Sequence, residues 1–136
     1  MIRPINRDPL SLARRSEPAV PSDGPVITDL TDTLRANLDR CVGMAANMIG
    51  CHKRIIVFCA GPVQAVMVNP RITAKTGAYE TEEGCLSLAG VRKTTRYRRI
   101  TVSYLDRDFK PHTGTFEGFT AQIIQHEIDH CDGVLI

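Results

Sequence analysis

No stretch of the 136-residue sequence comes near the roughly 18 consecutive apolar residues that a membrane-spanning helix needs. The opening Met1-Ile-Arg-Pro-Ile-Asn-Arg-Asp-Pro9 also lacks the apolar core of a secretory signal, so a cytoplasmic protein without a membrane partner is expected. A surplus of one charge is missing as well. Lys plus Arg number 17 against 15 for Asp plus Glu, leaving a formal net charge of +2. A protein held mainly by phosphate contacts would be far more basic, and no direct nucleic-acid readout is expected. The five cysteines (Cys41, Cys51, Cys59, Cys85, Cys131) are odd in number and contain no C-x-x-C pair, which excludes a simple disulfide framework and an all-cysteine zinc module. There is no internal repeat, low-complexity tract or linker. With 43% hydrophobic and 24% charged residues in a chain of ordinary domain size, residues 1–136 are expected to form one domain.

The first 25 residues carry Pro4, Pro9, Pro18, Pro21 and Pro25, a composition that predicts an extended segment lying on the domain. Leu30, Leu34, Leu38 and Cys41 then recur at helical spacing, with Thr28 or Asp29 as the N-cap. Gly43 to Gly50 forms a small-residue junction where backbone or ligand can approach closely. Residues 54–58, 63–68, 71–75, 100–105 and 112–116 are rich in β-branched side chains and are split by Gly61-Pro62, Asn69-Pro70, Gly77 and Asp106-Arg-Asp108. They predict short antiparallel strands. A last helix is predicted from about Phe119 to Cys131, ended by Gly133, with Phe119, Ile123, Ile124 and Ile128 spread over enough of its surface to bury it.

That helix contains His126-Glu127-Ile128-Asp129-His130. Residues four apart lie about 40° apart around a helix axis, so both imidazoles can reach one metal ion with Glu127 beside them. A hydrolytic metal site normally has three protein ligands. Only six residues follow His130, and Cys131 and Asp132 point away from the histidine face, so the third ligand is expected upstream. Cys85, in Glu83-Gly-Cys-Leu-Ser87, lies between glycine-containing segments without strand periodicity. A cysteine taken alone is most often a buried small hydrophobe, but the missing ligand favours Cys85 here. The basic run Arg92 to Arg99 is expected to be a solvated strand face or loop, and His52 and His112 ordinary surface histidines.

Glu83-Gly-Cys-Leu-Ser87 and Gln125-His-Glu-Ile-Asp-His130 resemble the second and third motifs of the peptide deformylase family. Supporting similarity includes Asp8-Pro9-Leu10, Arg54-Ile-Ile-Val57, Val68-Asn-Pro70, Asp106-Arg-Asp108 and Gly133-Val-Leu135. With the element pattern, the resemblance implies an α+β, peptide deformylase-like fold in which short antiparallel strands pack around a metal-binding helix. It implies one divalent ion, Fe²⁺ or alternatively Zn²⁺, held by Cys85, His126 and His130. It further implies Glu127 as general acid/base and the Leu86 N–H as a donor to the oxyanion, with Val42, Gly43, Gly84 and Arg92 against the peptide. N-formylmethionyl peptides follow as substrates, and transient association with the ribosome as a partner.

The first family motif, Gly-x-Gly-x-Ala-Ala-x-Gln, reads Cys41-Val-Gly-Met-Ala-Ala-Asn-Met48 here. Cys41 replaces a glycine and is expected to reshape the pocket entrance if that backbone needs a glycine conformation. Met48 replaces the glutamine whose amide is the second oxyanion donor, and a thioether donates no hydrogen bond. Asn47 has the right amide but is expected to point about 100° away on a helical turn. Three rival readings stand beside the deformylase: an amidase of altered substrate, a silent paralogue that binds metal and peptide N-termini, and a metallopeptidase. The last is disfavoured because its downstream ligand has no room.

Overall fold

Five antiparallel strands follow one another across a single sheet in the order of the sequence. They are β1 (Gly43–Ala45), β2 (Ile55–Ala60), β3 (Val63–Gly84), β4 (Val91–Leu105) and β5 (Pro111–Glu117), and the helices are α1 (Pro9–Leu12), α2 (Gly24–Ala36) and α3 (Gly118–Cys131). The computed structural model describes all of residues 1–136.

β2 is the wall between two cores. Alternation sends Ile55 and Val57 to one face, against Ile27, Leu30 and Leu34 of α2, and Ile56 and Phe58 to the other, against Ile123, Ile124 and Ile128 of α3. Each such large side chain contributes about 1.5–3 kcal/mol by leaving water. The sheet thus clamps α3 with its apolar sides inward and leaves its histidine face to the β1 edge and the long hairpin. No helix is long and apolar enough to cross a membrane.

Several local expectations need correction. The first long helix starts at Gly24 rather than Thr28, because Pro25 sits in its first turn, where a missing N–H costs nothing and the fixed φ helps. It ends at Ala36 with Asn37 at its C-cap, so Leu38 and Cys41 lie beyond the helix they were predicted to extend. The proline-rich start is not wholly extended, since Asp8 accepts a bond from the Leu10 N–H and begins the turn of α1 that buries Leu12.

The strands are not all short. Residues 63–68 and 71–75 belong to one 22-residue strand, and the break predicted at Asn69-Pro70 is a bulge between the Val68 and Arg71 pairings. There Asn69 adopts φ 50° and its side chain bonds both backbone groups of Ala19, accepting at 2.7 Å and donating at 3.1 Å. Gly77, also predicted as a break, stays in the strand at φ +77°, where any Cβ would press on the Arg98 side chain. The end of α3 agrees with expectation. Gly133, at φ +75°, donates to the His130 carbonyl and Val134 to that of Asp129, the paired bonds of a left-handed glycine cap.

Candidate metal centre

One helical turn separates His126 and His130 on α3, and their Nε2 atoms stand 3.2 Å apart. β3 ends at Gly84, and the turn that follows brings Cys85 Sγ to 3.3 Å from His130 Nε2. One donor atom from each of the three residues lies within 4.8 Å of the others. Two imidazoles and a thiol form a donor set suited to a divalent transition ion.

Two of the three donors are held from behind. Glu83 Oε1 lies 2.8 Å from His126 Nδ1, which aims the opposite nitrogen at the centre. Arg96 grips Glu83 through Nη2 at 2.7 Å and Nε at 3.0 Å, and reaches Asp129 through Nη1 at 2.6 Å. Gln122 Nε2 donates to Glu83 Oε2 at 2.8 Å. The Ser87 N–H points at Cys85 Sγ, 3.4 Å away. Burial works against a charged Glu83, but the bonds from His126, Arg96 and Gln122 outweigh it and hold the carboxyl down at about 2.

Burial also lowers His126, yet hydrogen bonding with the thiol of Cys85 and with Glu83 overcomes it and raises this histidine to about 10. In the geometry the Cys85 sulfur bonds His130 Nε2, at 3.3 Å, and lies within 4.8 Å of the His126 donor. Burial first and the charge on His126 second push His130 down to about 3. The centre thus favours positive charge on His126, beside the Cys85 sulfur and the Glu83 carboxylate, and keeps the second imidazole neutral. A divalent cation held by Cys85, His126 and His130 would put positive charge in the same place, so these residues fit a metal.

Glu127 stands next to His126 with Oε1 enclosed and without a protein partner. Burial raises its carboxyl to about 7, with the charge of His126 pulling the other way. β1 passes close by: a Cβ on Gly43 would sit 2.8 Å from Ile123 Cγ2 and 2.9 Å from Glu127 Oε2, so only glycine allows this approach.

The centre opens onto a cleft of about 270 Å³. Met48, Val42, Gly43, Gly84 and Leu86 line it with Cys85, His126 and Glu127, so most of the residues singled out from the sequence come together. Arg92 does not. It is partly exposed on β4, with Nη1 3.4 Å from the Ala89 carbonyl, and is absent from the cleft lining. Phe119, predicted as core, is 65% exposed at the cleft, because α3 begins there before the sheet covers it. Cys41 does not carry a left-handed backbone, and its thiol donates to the Gly43 carbonyl at 2.8 Å, so the replaced glycine causes no strain. Asn47 turns from the cleft toward α3 and donates to the His130 carbonyl at 2.9 Å. His52 bonds Ser11, while His112 bonds Asp106 and stacks on Tyr104, both apart from the centre.

Four residues of the network had no role predicted from the sequence: Glu83 and Asp129, which lie inside the quoted motifs, and Arg96 and Gln122, which lie outside them. Arg96 belongs to a run predicted as solvated, yet it is 3% exposed. It shares the parity of Ile100 and Val102, which face the core, but Arg98, between Arg96 and Ile100, is exposed, so the alternation signals Arg96 only in part. Gln122 lies four residues before His126 and so on the same helix face.

The family model for polypeptide deformylase matches residues 3–136. A peptide deformylase of Clostridium beijerinckii is 58% identical over 136 residues, covering all of both chains. Among solved structures, a peptide deformylase from Legionella pneumophila is 38% identical with a TM-score of 0.88, covering 99% of this chain and 83% of its own. A Met-Ala-Ser-bound peptide deformylase from Acinetobacter baumannii is 30% identical with a TM-score of 0.86, covering 99% and 97%. A fold match along almost the whole chain thus accompanies the convergence of Cys85, His126 and His130, and the chain belongs to the polypeptide deformylase family.

Proposed function

We propose that the chain removes the formyl group from the N-terminal methionine of new polypeptides, with Cys85, His126 and His130 holding one divalent ion and Glu127 carrying the proton. Peptide deformylation is an amide hydrolysis, and the chain is an enzyme of that kind. The observation that carries the residue assignment is the convergence of three metal donors, with Cys85 and His126 on the wall of a cleft and His130 behind them, next to a buried carboxyl poised near pH 7.

When bound, the ion supplies Lewis acidity and lowers the pKa of water. Ferrous iron is the resident ion of this reading and zinc the alternative, since a Cys-His-His set suits both. Glu127 accepts a proton from the attacking water and gives it to the amine as the C–N bond breaks, a task that favours a group titrating near the working pH. The Leu86 N–H, which enters none of the chain's loop or turn bonds, donates to the oxyanion of the formyl group. Arg7 fixes that turn from behind through the Leu86 carbonyl at 3.0 Å.

β1 is the sheet's edge strand, bonded only to β2, and Val42 and Gly43 line the cleft. Its open edge suits an extended peptide added as a further strand, and the Acinetobacter relative binds Met-Ala-Ser. Residues 1–136 act as one domain in this reading, and transient contact with the ribosome belongs to the same supply of substrate.

Anaerobically prepared, iron-loaded protein should release formate from formyl-Met-Ala-Ser and leave acetyl-Met-Ala-Ser intact. No formate from a metal-replete chain overturns the assignment.

A further inference from the structure

Three polar side-chain atoms near the C-terminal end of α3 are enclosed and have no partner in the protein: His130 Nδ1, Asn47 Oδ1 and Ser16 Oγ. Two bonds to consecutive carbonyls of the helix's last turn gather their residues. The Asn47 amide donates to the His130 carbonyl at 2.9 Å, and the Ser16 backbone N–H donates to that of Cys131 at 2.8 Å. Asn47, Ser16 and His130 are all buried.

The hydrogen-bonding senses of these atoms are complementary. The His130 ring turns Nε2 toward His126 and Cys85, which leaves Nδ1 on its far side. With Nε2 committed to a metal, the ring proton sits on Nδ1, which becomes a buried donor in need of an acceptor. Asn47 Oδ1 and the Ser16 hydroxyl can both accept. His126 meets the same need with the charged carboxylate of Glu83, whereas His130 has no carboxylate at its Nδ1.

We propose that Asn47 is a positioning residue for His130. Its amide N–H holds the ligand's backbone, and its Oδ1, with Ser16 Oγ, is an unpartnered acceptor enclosed at the same end of α3 as the Nδ1 proton. Asn47 is itself braced, because Asn6 Nδ2 donates to the Asn47 carbonyl at 3.0 Å and the Asn6 N–H to that of Met48 at 2.7 Å. One short turn therefore sends Met48 to the cleft and Asn47 to the back of a ligand. The inference rests on the metal centre proposed above.

Two measurements test it. In zinc-loaded wild-type protein labelled with ¹⁵N at histidine, two ring N–H protons should exchange slowly with solvent: His126 Nδ1 on Glu83, and His130 Nδ1. A His130 ring proton that exchanges as fast as that of exposed His112 overturns the proposal. In cobalt-loaded Asn47→Ala, a chelator should take the metal on the order of 10–100-fold faster than from wild type, and the visible cobalt bands should shift. Asn6→Ala loosens the same turn without touching His130 and should leave the bands in place. Metal release within about twofold of wild type and an unshifted spectrum in folded Asn47→Ala would refute the role, by the same measure of an outer partner's worth. If Asn47→Ala does not fold, the wild-type proton measurement decides alone. A wild-type chain that takes up neither zinc nor cobalt refutes the metal centre and this inference with it.

Discussion

Met48→Gln is the substitution that reaches furthest into the chemistry. Met48 lies in the 3-10 turn Ala46–Ile49, is 1% exposed, packs with Leu34 and Val57 in the core on the α2 side, and also lines the cleft. Its tip is therefore at the boundary between core and substrate. Glutamine has a side chain of similar reach, so the change is chiefly one of polarity. Two effects compete. An amide that finds no partner at a buried position costs about 1–3 kcal/mol of stability. A donor aimed at a developing oxyanion is worth on the order of 10²-fold in kcat, or about 2.7 kcal/mol of barrier. These act on different quantities, so both should be visible: Tm falls by a few degrees while kcat for formyl-Met-Ala-Ser rises roughly 10²-fold. KM should change less, because the bond strengthens mainly in the transition state. Formate release from iron-loaded protein measures the rates, and Met48→Leu separates hydrogen bonding from shape. A folded, metal-replete Gln variant with unchanged kcat would show that the Met48 position does not face the oxyanion.

Arg96→Leu leaves the carboxylates of Glu83 and Asp129 without their shared partner, which should cost roughly 3–5 kcal/mol in a denaturant melt; a melt like wild type would contradict the buried network. Glu127→Gln should keep stoichiometric metal by elemental analysis and lose nearly all formate release, and full activity would remove Glu127 from the mechanism. In ion-free protein His126 is raised from 6.5 to about 10, so its contribution to stability is complete below 6.5 and is lost as pH rises through 10. Denaturant melts should therefore weaken from pH 7 to pH 10 without metal. With zinc bound the trend should diminish, because ligation needs neutral imidazoles and a thiolate.

The fold was legible wherever one residue's environment follows from its own periodicity. The Ile55 to Phe58 run announces a strand buried on both faces, and α3 is marked at its C-terminal end by Gly133 and along its length by isoleucines. Local signals mislead where tertiary pairing overrides them. Asn69-Pro70 has every mark of a break, but the bulge and the Ala19 backbone use the irregular residues without ending the strand. Phe119 fits the apolar pattern of α3, but the first turn of that helix projects past the sheet and leaves the ring at the cleft.

The same distinction explains the site. His126, Glu127 and His130 are neighbours on one helix, so their spacing alone could bring them together, and Cys85 could be reached by asking which donor was missing. Glu83 and Ser87 support the ligands from within the Cys85 motif, but other supports come from elsewhere: Arg96 from the middle of β4, Ser16 from the N-terminal segment and Asn47 from the turn after β1. Each of these polar residues is ambiguous alone. Arg96 in a basic run has the composition of a solvated face, and only the pairing Glu83↔Arg92 shows that the β3–β4 hairpin carries both Glu83 and Arg96 to the helix. A ligand set can thus be compact in sequence while the network that aims it is dispersed. The cost of disturbing the centre should therefore appear at positions such as Arg96, which no metal-binding motif contains.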